Sequence, residues 1–309
     1  MMRKLLLLVV AAMVVGCGVF WQITSPEVVA ASTLPTRTPD LANGRTVFNA
    51  GGCASCHATP NQQDRLRLGG GLAIPSPFGT FYAPNISPDP DDGIGRWSEA
   101  NFVTAVQKGT SPEGTHYFPA FPYASYQRAK VEDVRDLFAY LKTLAPVRGR
   151  IRDHDLRFPF NIRRLVGGWK FLYLDGRPFA PDPAQSAEWN RGAYLVNGLG
   201  HCAECHSPRN ALGGIIAAQR FAGGPNPEGE GWVPNITQKE LGDWSVKAIA
   251  YFLQSGDTPD GDSAGGSMTR VIRNLAELGD ADRMAMAVYL KSLPPVDGPP
   301  RPKKGSGGH

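Results

Sequence analysis

Two five-residue segments carry most of the chemistry in this chain: Cys53-Ala54-Ser55-Cys56-His57 and Cys202-Ala203-Glu204-Cys205-His206. In a Cys-x-x-Cys-His segment both thiols add to the vinyl groups of a haem. The adjacent histidine is then carried beneath the iron as its proximal ligand. Cys53, Cys56, Cys202 and Cys205 are therefore expected to attach two haem c groups covalently, with His57 and His206 as iron ligands. A zinc ribbon needs its cysteine pairs about 15–20 residues apart, whereas these pairs are 149 apart. A thioredoxin-type pair needs a βαβ setting, which is not visible. Two disulfides would leave the histidine after each pair without a purpose.

An iron held this way has a second axial position. Thioether sulfur from Met is a common occupant in electron-transfer cytochromes and raises the potential. The chain has six Met, and only Met268, Met284 and Met286 lie beyond the N-terminal segment. Met268 follows His206 by 62 residues in a glycine-rich stretch, where a distal ligand is expected. Met284 and Met286 fall in a helical pattern and read as helix residues. The first half has no Met. His116 follows His57 by 59 residues and is the expected sixth ligand there. The alternatives are a five-coordinate iron or another group, and His154 lies beyond the last helix of that half.

These sites are set in a duplicated framework. The step of 149 residues between the cysteine pairs recurs between Tyr140 in Ala-Tyr-Leu-Lys-Thr-Leu and Tyr289 in Val-Tyr-Leu-Lys-Ser-Leu. Pro84-Asn85-Ile86-Ser87 pairs with Pro234-Asn235-Ile236-Thr237, and Trp97-Ser98 loosely with Trp244-Ser245. Internal self-similarity of this kind marks repeated units. Each unit reads as a helix, the cysteine motif, a Pro-Asn-Ile loop, a helix begun at Trp, a loop and a terminal helix. Asp40 suits the N-cap of a helix over 41–49. Val134, Leu137, Phe138 and Leu141 give 131–144 a helical period. The indole N–H groups of Trp97 and Trp244 are candidate donors to haem propionates. Long Gly- and Pro-rich loops leave little core of their own, and a large apolar prosthetic group would supply one. The expected fold is all-α, with two haem domains at 36–147 and 185–297. Between them 148–184, rich in Arg and aromatics, reads as a strap over both domains. Residues 298–309 read as a disordered tail.

Arg3 and Lys4 precede an uncharged apolar run from Leu5 to Ile23 broken by Gln22, so 1–31 reads as an export signal or membrane anchor. Three fates follow: retention as an anchor, lipidation at Cys17, or cleavage near Val29-Ala30-Ala31. Export agrees with haem attachment outside the cytoplasm. A net charge of +4 over 309 residues does not point to nucleic acid.

Several stretches resemble the cytochrome c subunit of bacterial membrane-bound alcohol, aldehyde and gluconate dehydrogenases. They include Pro84 to Asp89, Gly93 to Ser98, Ser111 to His116, Ala184 to Tyr194 and Gly198 to Asn210. The resemblance implies tandem class I cytochrome c domains that relay electrons for a separate dehydrogenase. The donor would be periplasmic or membrane-bound, and the acceptor a respiratory cytochrome or oxidase. The place implied is the periplasmic side of the inner membrane, or the periplasm if the signal is cleaved. Two departures stand out. The family usually has a third haem domain, and it usually has Met where this chain has Phe121. Dihaem relatives also accompany molybdenum-containing dehydrogenases. A dihaem enzyme of thiosulfate dehydrogenase or peroxidase type, acting at the first haem, is the rival function, and a soluble shuttle is the third.

Overall fold

The computed structural model describes residues 1–229 and 231–301. Helix α1 (Met2–Ile23) is apolar from Leu5 onward except for Gln22, and buries none of its residues. Asp40 then starts α2 (Leu41–Ala50), its carboxylate accepting from the N–H groups of Ala42 and Asn43 at 2.9 and 3.1 Å. These are two of the donors that a helix start leaves unpaired. The first cysteine motif is itself a short helix, α3 (Cys53–His57). After it come strands β1 (Ala73–Ser76) and β2 (Gly79–Tyr82) and helix α4 (Glu99–Val103), which widens over Thr104–Lys108. Helices α5 (Tyr123–Tyr126) and α6 (Val131–Leu141) close this half.

The connecting segment holds β3 (Asp155–Leu156) and α7 (Arg163–Tyr173). The C-terminal half repeats the order with α8 (Ala187–Tyr194), which widens over Leu195–Leu199, and α9 (Ala203–His206). Strands β4 (Gly224–Pro225) and β5 (Trp232–Val233) follow. The chain continues through α10 (Gln238–Leu241), α11 (Val246–Ser255), α12 (Met268–Leu275) and α13 (Asp280–Ser292).

The all-α expectation needs one amendment. Strands β1, β2 and β3 form a small antiparallel sheet, and β4 pairs with β5. Pro77 and Phe78 make the turn between β1 and β2, and Ile74, Phe81 and Tyr82 supply branched and aromatic residues suited to a pleated surface.

In each half the first long helix crosses the last. Gly44 of α2 lies against the backbone of Asp136 in α6, and Gly192 of α8 against that of Ala285 in α13. A Cβ at either glycine would collide with the facing carbonyl, so the crossing distance depends on its absence. Around the crossings Val47, Phe48, Val134 and Leu141 are buried in the first half, and Leu195, Met286 and Leu290 in the second. Met286 is thus a core residue.

The strap touches both halves. β3 extends the β1–β2 sheet, and the Lys170 amine donates to the carbonyls of Lys108 and Gly109 at 2.6 and 2.7 Å. On the other side the Trp169 indole donates to Leu212 O at 3.0 Å, and Asn210 donates to the Tyr173 hydroxyl at 3.0 Å. Of the tail expected from 298, Gly298 packs on Ala222, and residues 302–309 lie outside the described residues.

Candidate functional site

Each attachment helix is entered through a left-handed residue, Gly52 at φ 60° and His201 at φ 40°. Each is then clamped by the loop that follows. The N–H of Gly70 donates to His57 O at 2.8 Å, and that of Gly223 to His206 O at 2.9 Å. The imidazoles are oriented in the same way. His57 Nδ1 donates to Pro84 O at 2.8 Å and His206 Nδ1 to Pro234 O at 2.8 Å. A ring whose Nδ1–H is held by a carbonyl presents the Nε2 lone pair to a metal. Burial pushes both imidazoles down in pKa, against the pull of the proline carbonyls, which favours the neutral, ligating form.

The repeated Pro-Asn-Ile loop supplies those carbonyls. Asn85 and Asn235 fix it, donating to Val147 O at 2.6 Å and to Val296 O at 2.8 Å. Gly70 and Gly223, at φ 71° and 73°, lie so close to the loop that a Cβ would strike its backbone. Sequence reasoning took the surrounding glycines as loop composition only. The signal available was weak: the glycines precede their Pro-Asn-Ile by 14 and 11 residues.

The four motif thiols form no disulfide. Burial raises their pKa values, to about 12 for Cys53 and Cys205 and about 11 for Cys56 and Cys202. A redox-active pair needs the opposite shift. Among the described residues no cluster of His, Cys, Asp or Glu could hold a metal ion by itself. Paired neutral thiols beside an oriented, neutral imidazole fit haem c: the thiols would hold the porphyrin and the imidazole the iron.

The distal sides differ from the sequence expectation. The hairpin bridged by Thr110 and His116 matches the one bridged by Asp257 and Ser263, down to the left-handed Gly109 and Gly256 before them. His116 therefore stands where the second half has Ser263, and Phe121 stands where it has Met268. Met268 opens α12 and is half-buried. His116 is only 3% exposed, but its Nε2 donates to Thr24 O at 2.9 Å and is crowded by Gly167. The nitrogen a distal histidine would normally offer is thus already bonded, and buried Nδ1 alone lacks a partner. Burial, with help from Lys170 and Arg164, lowers the pKa of this imidazole. In this arrangement Nε2 of His116 is committed to Thr24 and is not free for an iron. Phe121 instead packs edge-on to Tyr117, Tyr123 and Tyr126. His154 sits between Phe81 and Phe118, and its Nδ1 accepts from the Tyr82 N–H at 3.1 Å. Trp97 and Trp244 are half-buried and directly precede the N-caps Ser98 and Ser245. Neither indole N–H donates to a protein atom among the described residues.

The two attachment helices are tied to each other's half. Asn274 Nδ2 of α12 donates to Ser55 Oγ at 2.6 Å, inside the first motif. Ser125 Oγ of α5 donates to Glu204 Oε1 at 2.7 Å, inside the second. The step of 149 relates Ser55 to Glu204 and Ser125 to Asn274, so the two bonds are equivalent. Between them, Gly51 O accepts from the Tyr126 hydroxyl at 2.7 Å and from His201 Nε2 at 3.3 Å. Gly51 lies two residues before Cys53, and His201 directly precedes Cys202.

The cytochrome c family matches residues 41–145, which contain the first motif. A diheme cytochrome c-type protein of Cereibacter sphaeroides is 48% identical over 96% of this chain and 100% of its own length. The chain belongs to the dihaem c-type cytochromes. It binds haem c and serves electron transfer. A subunit of the nicotinate dehydrogenase of Pseudomonas putida is 43% identical over 82% of this cytochrome. The fructose dehydrogenase cytochrome subunit of Gluconobacter japonicus is 36% identical over 90% of it. The cytochrome spans 21% and 57% of those two proteins.

Proposed function

We propose that this cytochrome is a two-centre relay, with tandem haem domains at 36–147 and 185–297, that passes electrons from a separate dehydrogenase to a respiratory cytochrome or oxidase. The observation that carries this reading is the reciprocal bonding of the two motifs, Asn274 to Ser55 and Ser125 to Glu204. Attachment helices locked together in this way hold two centres at a set separation, which sequential transfer needs. When bound, haem supplies a one-electron ferric–ferrous couple. In our reading Cys53, Cys56 and His57 hold the first group, and Cys202, Cys205 and His206 the second. Met268 is the sixth ligand of the second, and Trp97 and Trp244 donate to propionates. Thioether favours the reduced iron, so the C-terminal half is the high-potential, exit end. Relatives named as subunits of nicotinate, fructose and alcohol dehydrogenases support a dehydrogenase donor.

The cytochrome would work on the periplasmic face of the inner membrane, held by α1. Of the three fates of the N-terminal segment, cleavage near Val29-Ala30-Ala31 has the least support. Thr24 has no exposed surface and holds His116. Glu27 pairs with Lys108 at 2.9 Å, and the Val29 N–H donates to Thr104 at 2.9 Å. Cleavage after Ala31 would remove all three contacts from the first half.

A second reading, catalysis at the first haem, is favoured by one observation: Phe121 stands where Met268 stands in the other half. An iron without a strong sixth ligand is open to peroxide or a sulfur substrate. Two measurements test the pair. Denatured protein washed with acid acetone should keep about two haems per chain by pyridine haemochrome, since thioether bonds survive that wash. Extractable haem would end the relay reading. Rapid mixing of the reduced protein with a respiratory cytochrome should then empty both centres without added substrate. Turnover of peroxide or thiosulfate at the first centre, with slow transfer to the acceptor, would favour the enzyme.

A further inference from the structure

Helix α7 has two unlike faces. Val166, Gly167 and Lys170 are buried on the first half. Leu165, Phe171 and Leu172 point away and are 43%, 66% and 60% exposed. The turn before the helix adds Phe158, 79% exposed, with Phe160 and Ile162 also exposed. Six large apolar side chains on one short segment form a larger patch than scattered surface residues do, and such a patch marks an interaction surface.

The position of α1 says what covers it. The last turn of α1 rests on α7, between those exposed residues. The Arg164 guanidinium lies 4.0 Å from the centre of the Trp21 ring and donates to the Trp21 carbonyl and, at 3.4 Å, to Ser25 Oγ. Phe20 is the nearest side chain to Gly168. Helix α1 has 22 residues, about 33 Å at 1.5 Å per residue, which matches a hydrocarbon core of about 30 Å. Its other end carries Arg3 and Lys4, and Trp21 at this end is the residue type enriched at the lipid–water boundary. If α1 spans the bilayer, the segment touching its last turn lies at the boundary depth. The composition agrees. An interfacial helix carries Phe and Leu on one face and arginines beside them that reach to headgroups, as exposed Arg157 can here.

We propose that residues 158–172 are a second membrane contact, lying in the headgroup layer around the root of α1 and fixing the tilt of the first half against the bilayer. A protein partner is the poorer fit, because it would have to seat itself around the base of a transmembrane helix. The proposal rests on the reading of α1 as a retained anchor, and the test separates the two.

The full-length holoprotein is placed in phosphatidylethanolamine–phosphatidylglycerol vesicles doped with spin-labelled lipid. Haem attachment consumes the motif cysteines, so native Cys17 takes a fluorophore selectively. On a Cys17→Ser background, Leu172→Cys and Phe158→Cys report on the strap. Tyr251→Cys, exposed on α11, is the control. Headgroup-level spin labels should quench both strap probes several-fold more than the control, and deep labels should quench Cys17. Strap quenching no greater than that of Tyr251→Cys, with Cys17 still quenched, would overturn the proposal and leave the anchor intact. An unquenched Cys17 defeats the anchor reading. Strap quenching in that case would still support a lipid contact of its own.

Discussion

The two halves of the molecule agree on the proximal side and part on the distal side. Both hold the ligand histidine by a proline carbonyl, and both pin that proline by an asparagine. After the matching hairpins the second half has Met268 and the first has Phe121 among tyrosines. In our reading, duplication kept what would place an iron and released what would tune it. The same contrast runs through the helix crossings, where buried Asp136 faces Arg37 and Asn43 in the first half and Ala285 stands in the second.

The largest expected effect is that of Met268→Ala. The near-infrared Met-to-iron band of the oxidised protein should vanish, and the higher of the two potentials should fall. A band that survives removes Met268 as ligand and with it the asymmetry of the halves.

The converse change sharpens the comparison. Phe121→Met should bring a second near-infrared band and convert any high-spin ferric signal of the first haem to low spin. A wild-type protein with two low-spin signals and no cyanide binding would show that some other residue already fills that position. His116→Ala should leave the ferric signals unchanged, because the ring is committed to Thr24.

Smaller effects follow from the packing. Burial would raise the Asp136 pKa, but hydrogen bonds from Arg37, Asn43 and the Asp40 N–H outweigh it and hold the carboxyl below its ordinary value. A depressed carboxylate contributes stability above its unfolded pKa, near about 4, and loses it as pH falls through the folded one. Asp136→Ala should therefore cost the first half about 2 kcal/mol at neutral pH and flatten its acid limb below about pH 4. Denaturation that tracks each Soret band would show equal acid sensitivity in both halves if the idea is wrong. Smallest is Asn274→Ala, which should cost about 1–2 kcal/mol and slow electron equilibration between haems in flash reduction. Unchanged equilibration would make the Asn274–Ser55 bond purely structural.

Much of this was legible in the residues. The cysteine motifs, the repeat and the Asp40 cap are local, so composition and spacing report them directly. The distal side was not. Met268 and Phe121 match through hairpins of equal length, while the helices after them are offset by two further residues, and counting from the motif cannot see where that offset falls. The bond of His116 was hidden for a related reason. Its partner Thr24 lies 92 residues away, in a segment that reads as a mere leader. The strands escaped notice because β1 and β2 are four residues each, too short to show a period.

The reciprocal bonds between the motifs have one more consequence. If residue i of one half touches j of the other, and their counterparts do the same, the contact has the form of an isologous dimer interface. Separate chains would need a broad apolar surface to associate that way. Here the strap makes the encounter intramolecular, at a high effective concentration, so a smaller contact suffices. That tolerance shows in the residues themselves. One site pairs Ser with Asn and its counterpart pairs Ser with Glu, a divergence that two identical subunits could not have made.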